Sequence, residues 1–269
     1  MRLGIGSWTY GWAIGVKGYP SLPKPLTTSD LIDRAREFQV DVVQIADNLA
    51  VHALSQSELL RLRNAASDSN IALELGTVGV EPSHLQRYLE LAVFLRARLV
   101  RTLIREPAGR SDLNEAEEFI RHAAARFRSA GVALALENYE EQTCAELAAL
   151  VERIGEPCVG VCLDTVNSLG ALETPREVVA ALAPHVLNLH VKDFVIRRVP
   201  SKMGYEVSGC PAGEGRLDID WLVGELRGLE REPAMILEQW TPWQGSIEQT
   251  VSTEEEWAIR SIAFLRRYQ

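Results

Sequence analysis

Eight short apolar segments recur along the chain, roughly every 30 residues, and this repetition limits the fold more than any other feature. Each segment is nearly continuous and rich in Val, Ile and Leu, which is typical of parallel strands buried on both faces. The segments begin at Leu3, Val42, Ile71, Leu99, Val132, Val159, Val186 and Ala234.

Amphipathic helix patterns fill the intervals between these segments, and several carry recognisable start and stop residues. Thr28 or Ser29 is the expected N-cap of the first pattern, and Gly131 is the expected stop of the fourth. Pro175 follows a threonine in the first turn of the sixth, a position where proline is tolerated. The patterns are TTSDLIDRAREF, SQSELLRLRNAASD, EPSHLQRYLELAVFLRA, DLNEAEEFIRHAAARFRSAG, TCAELAALVERIG, TPREVVAALAP, DIDWLVGELRGLE and TEEEWAIRSIAFLRR.

The alternation of eight strand patterns with eight helix patterns predicts a closed barrel. Eight parallel strands close a (β/α)8 TIM barrel, whereas doubly wound sheets usually stop at five or six strands. The chain has 269 residues, 46% of them hydrophobic, and no break in composition divides it. We therefore expect a single α/β domain over residues 1–269, folded as one TIM barrel.

The connection after the seventh apolar segment is the main departure from the regular spacing. It runs from about Lys192 to Leu217, and a connection of more than about 15 residues in a compact domain is usually functional or disordered. Its aromatic and glycine-containing sequence favours an ordered lid over a pocket. Lys202 and Met203 would then cover a bound substrate.

The charge balance and the cysteines argue against several classes of function and location. The formal net charge is −9, and the densest basic stretches lie on helix patterns, so no nucleic-acid partner is expected. No apolar stretch reaches about 18 residues, so neither a membrane span nor a membrane partner is expected. The four cysteines follow neither a disulfide framework nor a zinc motif, which predicts reduced thiols and a cytoplasmic location.

Ionisable side chains stand at the ends of four consecutive apolar segments. The fifth ends in Glu137, the sixth in Asp164 and the eighth in Glu238, and the seventh carries His190 just before its end. Because chemistry in a TIM barrel sits at the C-terminal ends of the strands, these side chains should converge. Three carboxylates in one cavity repel one another unless a cation binds between them. The mostly oxygen donor set suits Mn²⁺, Mg²⁺ or Co²⁺, and Zn²⁺ is also compatible.

Five short motifs, ENYE, CLDTVNS, HVKD, GEG and ILEQW, carry a resemblance to a known family. In this order they resemble the motifs of the xylose isomerase-like TIM-barrel superfamily, which includes ketose 3-epimerases, hydroxypyruvate isomerase, inosose dehydratase and endonuclease IV. The resemblance spans essentially the whole chain. It implies that Glu137, Asp164, His190 and Glu238 bind a divalent metal ion and that the two glutamates act as catalytic acid and base. Barrels of this group often pair, which implies a homodimer or homotetramer.

The predicted metal site points to an enzyme acting on a small sugar or sugar acid. A ketose offers the metal a carbonyl and a neighbouring hydroxyl, and chelation would stabilise the enediolate formed when a proton leaves carbon. Glu137 and Glu238 would exchange protons on opposite sides of the substrate, so we expect an isomerase or epimerase. One alternative is a metal-dependent lyase, either a 3-oxo sugar acid decarboxylase, whose branch YGWAIG and KMGYEVSG resemble, or a keto-cyclitol dehydratase. A further alternative is a non-catalytic sugar-binding barrel.

Four residues near the strand ends are expected to contact the substrate, in addition to Lys202. Trp8 follows the first segment and Trp240 follows the eighth, so their rings would wall one side of the pocket. Lys192 shares the lumen side with His190 through strand alternation. Asn167 stands where ketose 3-epimerases have a histidine that contacts substrate. Asparagine can donate and accept hydrogen bonds there, but it cannot shuttle a proton.

Three other polar residues have two competing interpretations. Arg101 lies inside the fourth segment, where it could reach the pocket or pair with a core acid such as Glu74, and we expect the pairing. Asp47 and Asn48 follow the second segment and are expected to hydrogen-bond sugar hydroxyls.

Overall fold

The eight apolar segments form a closed, all-parallel barrel in a computed structural model that describes residues 1–105, 112–229 and 232–269. The strand order around the barrel is β1-β10-β7-β6-β5-β4-β3-β2, which confirms the predicted single TIM barrel. The strands are β1 Leu3–Gly6, β2 Val42–Ile45, β3 Ala72–Val78, β4 Leu99–Leu103, β5 Ala133–Glu137, β6 Val159–Asp164, β7 Val186–Val191, β8 Asp193–Arg198, β9 Tyr205–Cys210 and β10 Ala234–Leu237.

Helices follow the strands and cover the outside of the barrel. Within the described residues they are α1 Gly11–Ile14, α2 Thr28–Glu37, α3 Gln56–Asp68, α4 Pro82–Leu95, α5 Leu113–Ala130, α6 Cys144–Ile154, α7 Pro175–Leu182, α8 Ile219–Leu226 and α9 Ile247–Leu265. None of them combines the length and apolar character needed to cross a bilayer. The main apolar core lies between this helical layer and the outer faces of the strands.

The helix termini largely follow the sequence signals. Gly131 ends α5 in the left-handed conformation with φ of 67°, and Pro175 opens α7 behind a threonine cap, as predicted. The predicted N-cap of α2 was wrong by one residue. Thr27 is the cap, because its hydroxyl accepts from the Asp30 N–H while the Asp30 carboxylate accepts from the Thr27 N–H.

The barrel lumen changes character from bottom to top. Apolar side chains, with Val42, Ala234 and Ile236 as one cluster, fill its lower end. Alternation along β2, β3 and β7 places Gln44, Glu74 and Asn188 in the lumen, one layer higher, and we call these three residues the polar floor. Bulky branched residues usually fill such layers, so a polar layer in this place requires an explanation.

The long connection after β7 is largely a β-hairpin, in which β8 and β9 pair antiparallel. Asp193 anchors its base, because the carboxylate accepts hydrogen bonds from the backbone N–H groups of Gly213, Gly215 and Leu217, as well as Phe194. The hairpin lies so close to the barrel rim that a Cβ atom at Gly209 would be 2.4 Å from the backbone oxygen of Trp240. Both strands of the hairpin therefore pack closely on the rest of the barrel, β8 at Asp193 and β9 at Gly209.

The four cysteines are free thiols. Cys144, Cys162 and Cys210 are buried, and Cys158 is partly buried. This agrees with the prediction of reduced thiols within the core.

Candidate active site and metal centre

Four ionisable side chains from β5, β6, β7 and the end of β10 meet at the C-terminal mouth of the barrel. Glu137, Asp164, His190 and Glu238 are all buried, and one potential ligand atom from each lies within 4.8 Å of the others. His190 Nδ1 is 3.4 Å from a Glu137 oxygen, 3.4 Å from a Glu238 oxygen and 3.8 Å from an Asp164 oxygen. Strand register produces this meeting, because His190 pairs with Asp164 on one side and with Ile236 on the other.

Several buried atoms of this cluster make no hydrogen bond among the described residues, namely Glu137 Oε2, Asp164 Oδ2, His190 Nδ1 and Glu238 Oε1. Arg101 lies beside Glu137 Oε2 and Lys192 beside Asp164 Oδ2, which leaves His190 Nδ1 and Glu238 Oε1 without a close partner of opposite charge. Buried polar atoms are normally hydrogen-bonded, so these two atoms at the meeting point indicate an absent partner. Ligand atoms bound to one ion at about 2.1 Å lie roughly 3–4 Å apart, and the three distances from His190 Nδ1 are of that size. The donor set of three carboxylates and one imidazole therefore fits a divalent cation.

The backbone fixes which Asp164 oxygen is available. Asp164 Oδ1 accepts hydrogen bonds from the N–H groups of Val166 and Asn167, both at 2.8 Å. Asn138 braces the strand end, because its side-chain oxygen accepts from the Asp164 N–H at 2.7 Å and its amide donates to the Asp164 carbonyl at 2.9 Å. Oδ2 is thereby left to face the metal-binding position.

Lys192 lies inside the acidic cluster rather than beside it. Its Nζ is 2.8 Å from Asp164 Oδ2 and 2.9 Å from Glu238 Oε2, and the side chain is 9% exposed. It also donates to Asn167 Oδ1 at 3.3 Å, while Asn167 Nδ2 donates to Glu137 Oε1 at 2.9 Å. The ammonium therefore touches two of the candidate metal ligands.

Arg101 forms the predicted ion pair with a buried acid, but its partner is Glu137 and not Glu74, the acid given as the example. Arg101 Nε lies 2.5 Å from Glu137 Oε2, an ion pair whose angle is not that of a hydrogen bond, and its Nη1 donates to the Thr77 carbonyl at 3.2 Å. Glu74 instead accepts hydrogen bonds from Gln44 at 3.1 Å and Asn188 at 2.8 Å. Arg101 opposes Gly76 of β3, so Glu74 lies a layer below it, whereas Glu137 lies above its β5 partner, Ala135.

The cluster is balanced electrostatically in the absence of a metal ion. Burial works against ionisation, but the neighbouring Arg101 charge holds the pKa of Glu137 below its usual value, and Lys192 does the same for the pKa of Asp164. Burial lowers the pKa of His190, but the carboxylates around it outweigh burial and raise that pKa well above its usual value. Lys192 behaves likewise, with its pKa raised chiefly by Asp164 and Glu238 against the effect of burial. Three carboxylates thus face three cations.

A cavity of about 920 Å³ opens above this cluster. Its walls combine aromatic, aliphatic and charged side chains of both signs, and they include Trp8, Trp12, Arg101, Arg105, Tyr139, Lys192, Trp240 and Glu254. Glu254 accepts hydrogen bonds from the N–H groups of Trp12 and Ala13 and so ties α1 to α9. Burial raises the pKa of this carboxyl group to about 8.

Four of the five predicted substrate contacts line this cavity, namely Trp8, Asn167, Lys192 and Trp240. The fifth, Lys202, lies on the exposed turn of the hairpin with Met203, outside the described residues that line the cavity, so its contact with substrate stays a prediction. Asp47 also lines the cavity. The Asn48 side-chain amide pairs with Ser7, accepting from its hydroxyl and donating to its backbone carbonyl.

Sequence analysis missed the polar floor and several cavity residues. Gln44 interrupts the apolar run VVQI and Asn188 interrupts VLNL, and both stand at lumen-facing positions of their strands. A polar residue at the centre of a strand buried on both faces was the signal that could have identified them. Tyr139 and Arg105 follow strand ends and carried no comparable signal.

Comparison with known proteins agrees with this architecture. A family model described as xylose isomerase-like TIM barrel matches residues 32–268. A 3-oxo-isoapionate decarboxylase from Pectobacterium atrosepticum is 37% identical over 265 residues, covering 98% of this chain and 95% of that protein. Among solved structures, a D-psicose 3-epimerase in the presence of D-fructose superposes with a TM-score of 0.75 at 18% identity, covering 100% of this chain and 99% of that one.

A second solved structure bears on the metal. A xylose isomerase-like TIM-barrel protein from Mycobacterium smegmatis, in complex with magnesium, superposes with a TM-score of 0.69 at 16% identity, covering 98% of this chain and 97% of that one. At such identities these two structures support the fold alone. The family match covers most of the chain, and the decarboxylase relative is similar over nearly its whole length. The chain therefore belongs to the xylose isomerase-like TIM-barrel family.

Proposed function

We propose that the protein is a divalent-metal-dependent lyase that decarboxylates a 3-oxo sugar acid. The observation that carries this proposal is the charge of the buried cluster. Once a divalent ion displaces the proton of His190, the buried charges would be three carboxylates, the ion, Arg101 and Lys192, which leaves one net positive charge; Asp47, 3.5 Å from Arg101, is partly exposed to solvent and is not counted among them. An acid substrate brings one negative charge, which would neutralise the site when decarboxylation moves it from the carboxylate to the carbonyl oxygen, whereas a neutral ketose brings no such charge.

The comparison with known proteins supports the same choice. The decarboxylase relative is 37% identical along 98% of this chain, so the similarity includes the segments that form the cavity and the strand ends. The epimerase and magnesium-bound structures support only a common fold at 18% and 16% identity. We therefore place decarboxylation before epimerisation.

The metal ion, when bound, would supply a Lewis acid that polarises the carbonyl oxygen of the substrate. The remaining work falls to the residues of this chain. The bond between the carboxylate carbon and its neighbour breaks, its electron pair moves towards the carbonyl oxygen, and CO₂ leaves. The carbon then needs one proton. Lys192, whose ammonium lies at the cavity floor beside Asp164 and Glu238, is the proposed donor, to be reprotonated from solvent through the open cavity.

The two glutamates have a different role in this proposal from the acid and base roles implied by the family resemblance. Decarboxylation removes no proton from carbon, so it needs no carboxylate with a free lone pair. Glu137 is held by Arg101 and Asn167, and Glu238 is held by Lys192. Both glutamates are therefore proposed as metal ligands, with Asp164 and His190 completing the set.

The experiment uses the full chain freed of metal with EDTA and reloaded with Mn²⁺, Mg²⁺, Co²⁺ or Zn²⁺. With 3-oxo-isoapionate we expect CO₂ release that depends on the added metal and one deuterium per product molecule in D₂O. The Lys192→Met variant should lose roughly 100-fold or more in turnover, the usual range for a general acid. CO₂ release that persists unchanged after exhaustive chelation would contradict the proposal.

An isomerase or epimerase is the second candidate. It is favoured by the two carboxylates of Glu137 and Glu238, each 3.4 Å from His190 Nδ1, which could serve two faces of one substrate. The same metal-loaded protein is incubated with D-fructose and D-psicose in D₂O. Solvent deuterium at carbon 3, with all carbons retained and no CO₂ from 3-oxo acids, would establish this candidate in place of the first.

A further inference from the structure

The polar floor beneath the metal-binding residues fixes which nitrogen of His190 faces them. His190 Nε2 is 2.8 Å from Gln44 Oε1. A carbonyl oxygen only accepts hydrogen bonds, so Nε2 must carry the proton of this bond. Nδ1 is then the nitrogen whose lone pair is available, and it is the atom that faces the carboxylates of Glu137 and Glu238.

The orientation of the Gln44 amide is fixed in turn by its other partners. Gln44 Nε2 donates to Glu74 Oε2 at 3.1 Å and to Asn188 Oδ1 at 3.0 Å. Rotating the amide by 180° would place its oxygen beside Glu74 Oε2 and Asn188 Oδ1, and its NH₂ group beside His190 Nε2. Such a flip replaces the two hydrogen bonds to Glu74 and Asn188 with two repulsive oxygen–oxygen contacts.

Glu74 sets the direction of the whole network. Its Oε2 also accepts from Asn188 Nδ2 at 2.8 Å, so one carboxylate oxygen orients both amides. Asn188 Oδ1 accepts a weak hydrogen bond from the Cys162 thiol at 3.4 Å, which is consistent with the same orientation. The four residues of this network are buried, at 5% exposure or less, and none of them is among the described residues that line the cavity; they are Gln44, Glu74, Asn188 and Cys162. They touch no substrate.

We infer that Gln44 is a positioning residue for the metal centre, held in place by Glu74 and Asn188, and that it presents His190 Nδ1 to the divalent cation. Partners of this kind, behind a metal-bound histidine, commonly change metal affinity by about 10- to 100-fold when they are removed. The inference rests on the metal site of the proposed function, but not on the reaction. It also accounts for a polar layer in the lumen of the barrel.

The test replaces Gln44 with methionine, which has a similar volume but no oxygen to accept from His190. Mn²⁺ affinity of the metal-free protein is measured by titration, and we expect it to fall about 10- to 100-fold in Gln44→Met. Glu74→Gln removes the carboxylate that orients both amides but leaves Gln44 in place, so we expect a smaller fall in Mn²⁺ affinity. Thr102→Val is the matched control, because Thr102 is buried and hydrogen-bonded to Gly79 but does not touch the polar floor.

A second measurement reports the hydrogen bond itself. The protein is labelled with ¹⁵N in its histidines and loaded with Zn²⁺. The ring signals of one histidine should shift when the metal is added, and the proton on its Nε2 should stay protected from exchange with solvent. Gln44→Met should lose that protection while Thr102→Val retains it. Unchanged Mn²⁺ affinity together with a protected Nε2 proton in Gln44→Met would overturn the inference, as would a wild-type protein that binds neither ion. Neither measurement uses a substrate, so an enzyme that binds metal but releases no CO₂ would count against the proposed function alone.

Discussion

Replacing Lys192 with methionine separates the part this lysine plays in the metal site from its part in chemistry. Its ammonium lies 2.8 Å from Asp164 Oδ2 and 2.9 Å from Glu238 Oε2, the same two residues that would bind the ion. An incoming cation must therefore compete with Lys192 for these carboxylates. Without the ammonium, the competition disappears, and we expect metal to bind more tightly although turnover is lost.

The size of the effect follows from the burial of the contacts. Opposite unit charges about 4 Å apart attract by roughly 4 kcal/mol at an effective dielectric constant of 20, and removing one partner of a buried pair costs about 3–5 kcal/mol. The metal-free variant should be destabilised by that amount. A bound divalent ion would offset part of this loss, and recovering about 1.5–3 kcal/mol corresponds to roughly 10- to 100-fold tighter binding.

The assay compares Mn²⁺ titration and urea unfolding of metal-free and metal-loaded protein. Lys202→Met is the matched control, because it makes the same substitution on the exposed turn of the hairpin. The variant at Lys192 should be less stable than the control without metal and should gain more stability when Mn²⁺ is added. If Lys192→Met binds Mn²⁺ no more tightly than wild type, the ammonium does not compete with the ion, and the explanation is wrong.

Three further perturbations test other parts of the site. Metal binding should release about one proton near neutral pH and weaken up to about tenfold per pH unit below the raised pKa of His190, because the proton on Nδ1 must leave first. Titration in buffers of different ionisation enthalpy measures the release, and no release at pH 7 would show that His190 is not a cation in the metal-free protein. Glu254, whose pKa burial raises to about 8, should make the fold lose stability as pH rises from about 4.5 to 8, by up to about 5 kcal/mol. This slope should be absent from urea unfolding curves of Glu254→Gln, and a slope that persists would show another group to be its source. Asp193→Asn should cost about 2–3 kcal/mol and expose the hairpin to limited proteolysis, since a charged acceptor of four N–H groups is lost; unchanged cleavage would refute that role.

The barrel and its four metal-binding candidates were predictable because both depend on periodicity. Parallel strands buried on both faces leave apolar runs that can be counted, and closing the barrel brings their C-terminal ends to one rim. Glu137, Asp164, His190 and Glu238 each stand at or beside such an end. No knowledge of register was needed, because the meeting point is common to all the strands.

Contacts within the lumen could not be predicted in the same way, because they depend on the stagger between neighbouring strands. Arg101 and Glu74 lie on adjacent strands, and sequence alone placed them together. The stagger puts Gly76 opposite Arg101, which leaves Glu74 one layer lower and brings Glu137 within reach instead. The shear of a barrel fixes this offset, and no local sequence pattern encodes it. The position of Lys202 relative to the cavity depends in the same way on the length and twist of the hairpin, which decide where its turn lies.

The charges of the site also constrain how a 3-oxo acid would have to bind. Decarboxylation moves negative charge from the substrate carboxylate to the carbonyl oxygen, and a catalyst must stabilise that charge better on the carbonyl oxygen than on the carboxylate. A cation held against the substrate carboxylate would therefore oppose the loss of CO₂. The unsatisfied ligand atoms and Lys192 are at the cavity floor, whereas Trp8 and Trp240 are higher, on its aromatic wall. The carbonyl oxygen is therefore expected at the floor and the departing carboxylate against the aromatic wall, farther from the ion, with the nearest described ammonium, that of Lys192, 5.9 Å from the centre of the Trp240 ring. Replacing Trp240 with a lysine would place a cation beside that carboxylate, and it should tighten substrate binding while lowering turnover. A variant that improved both would place the carboxylate at the floor and reverse this orientation.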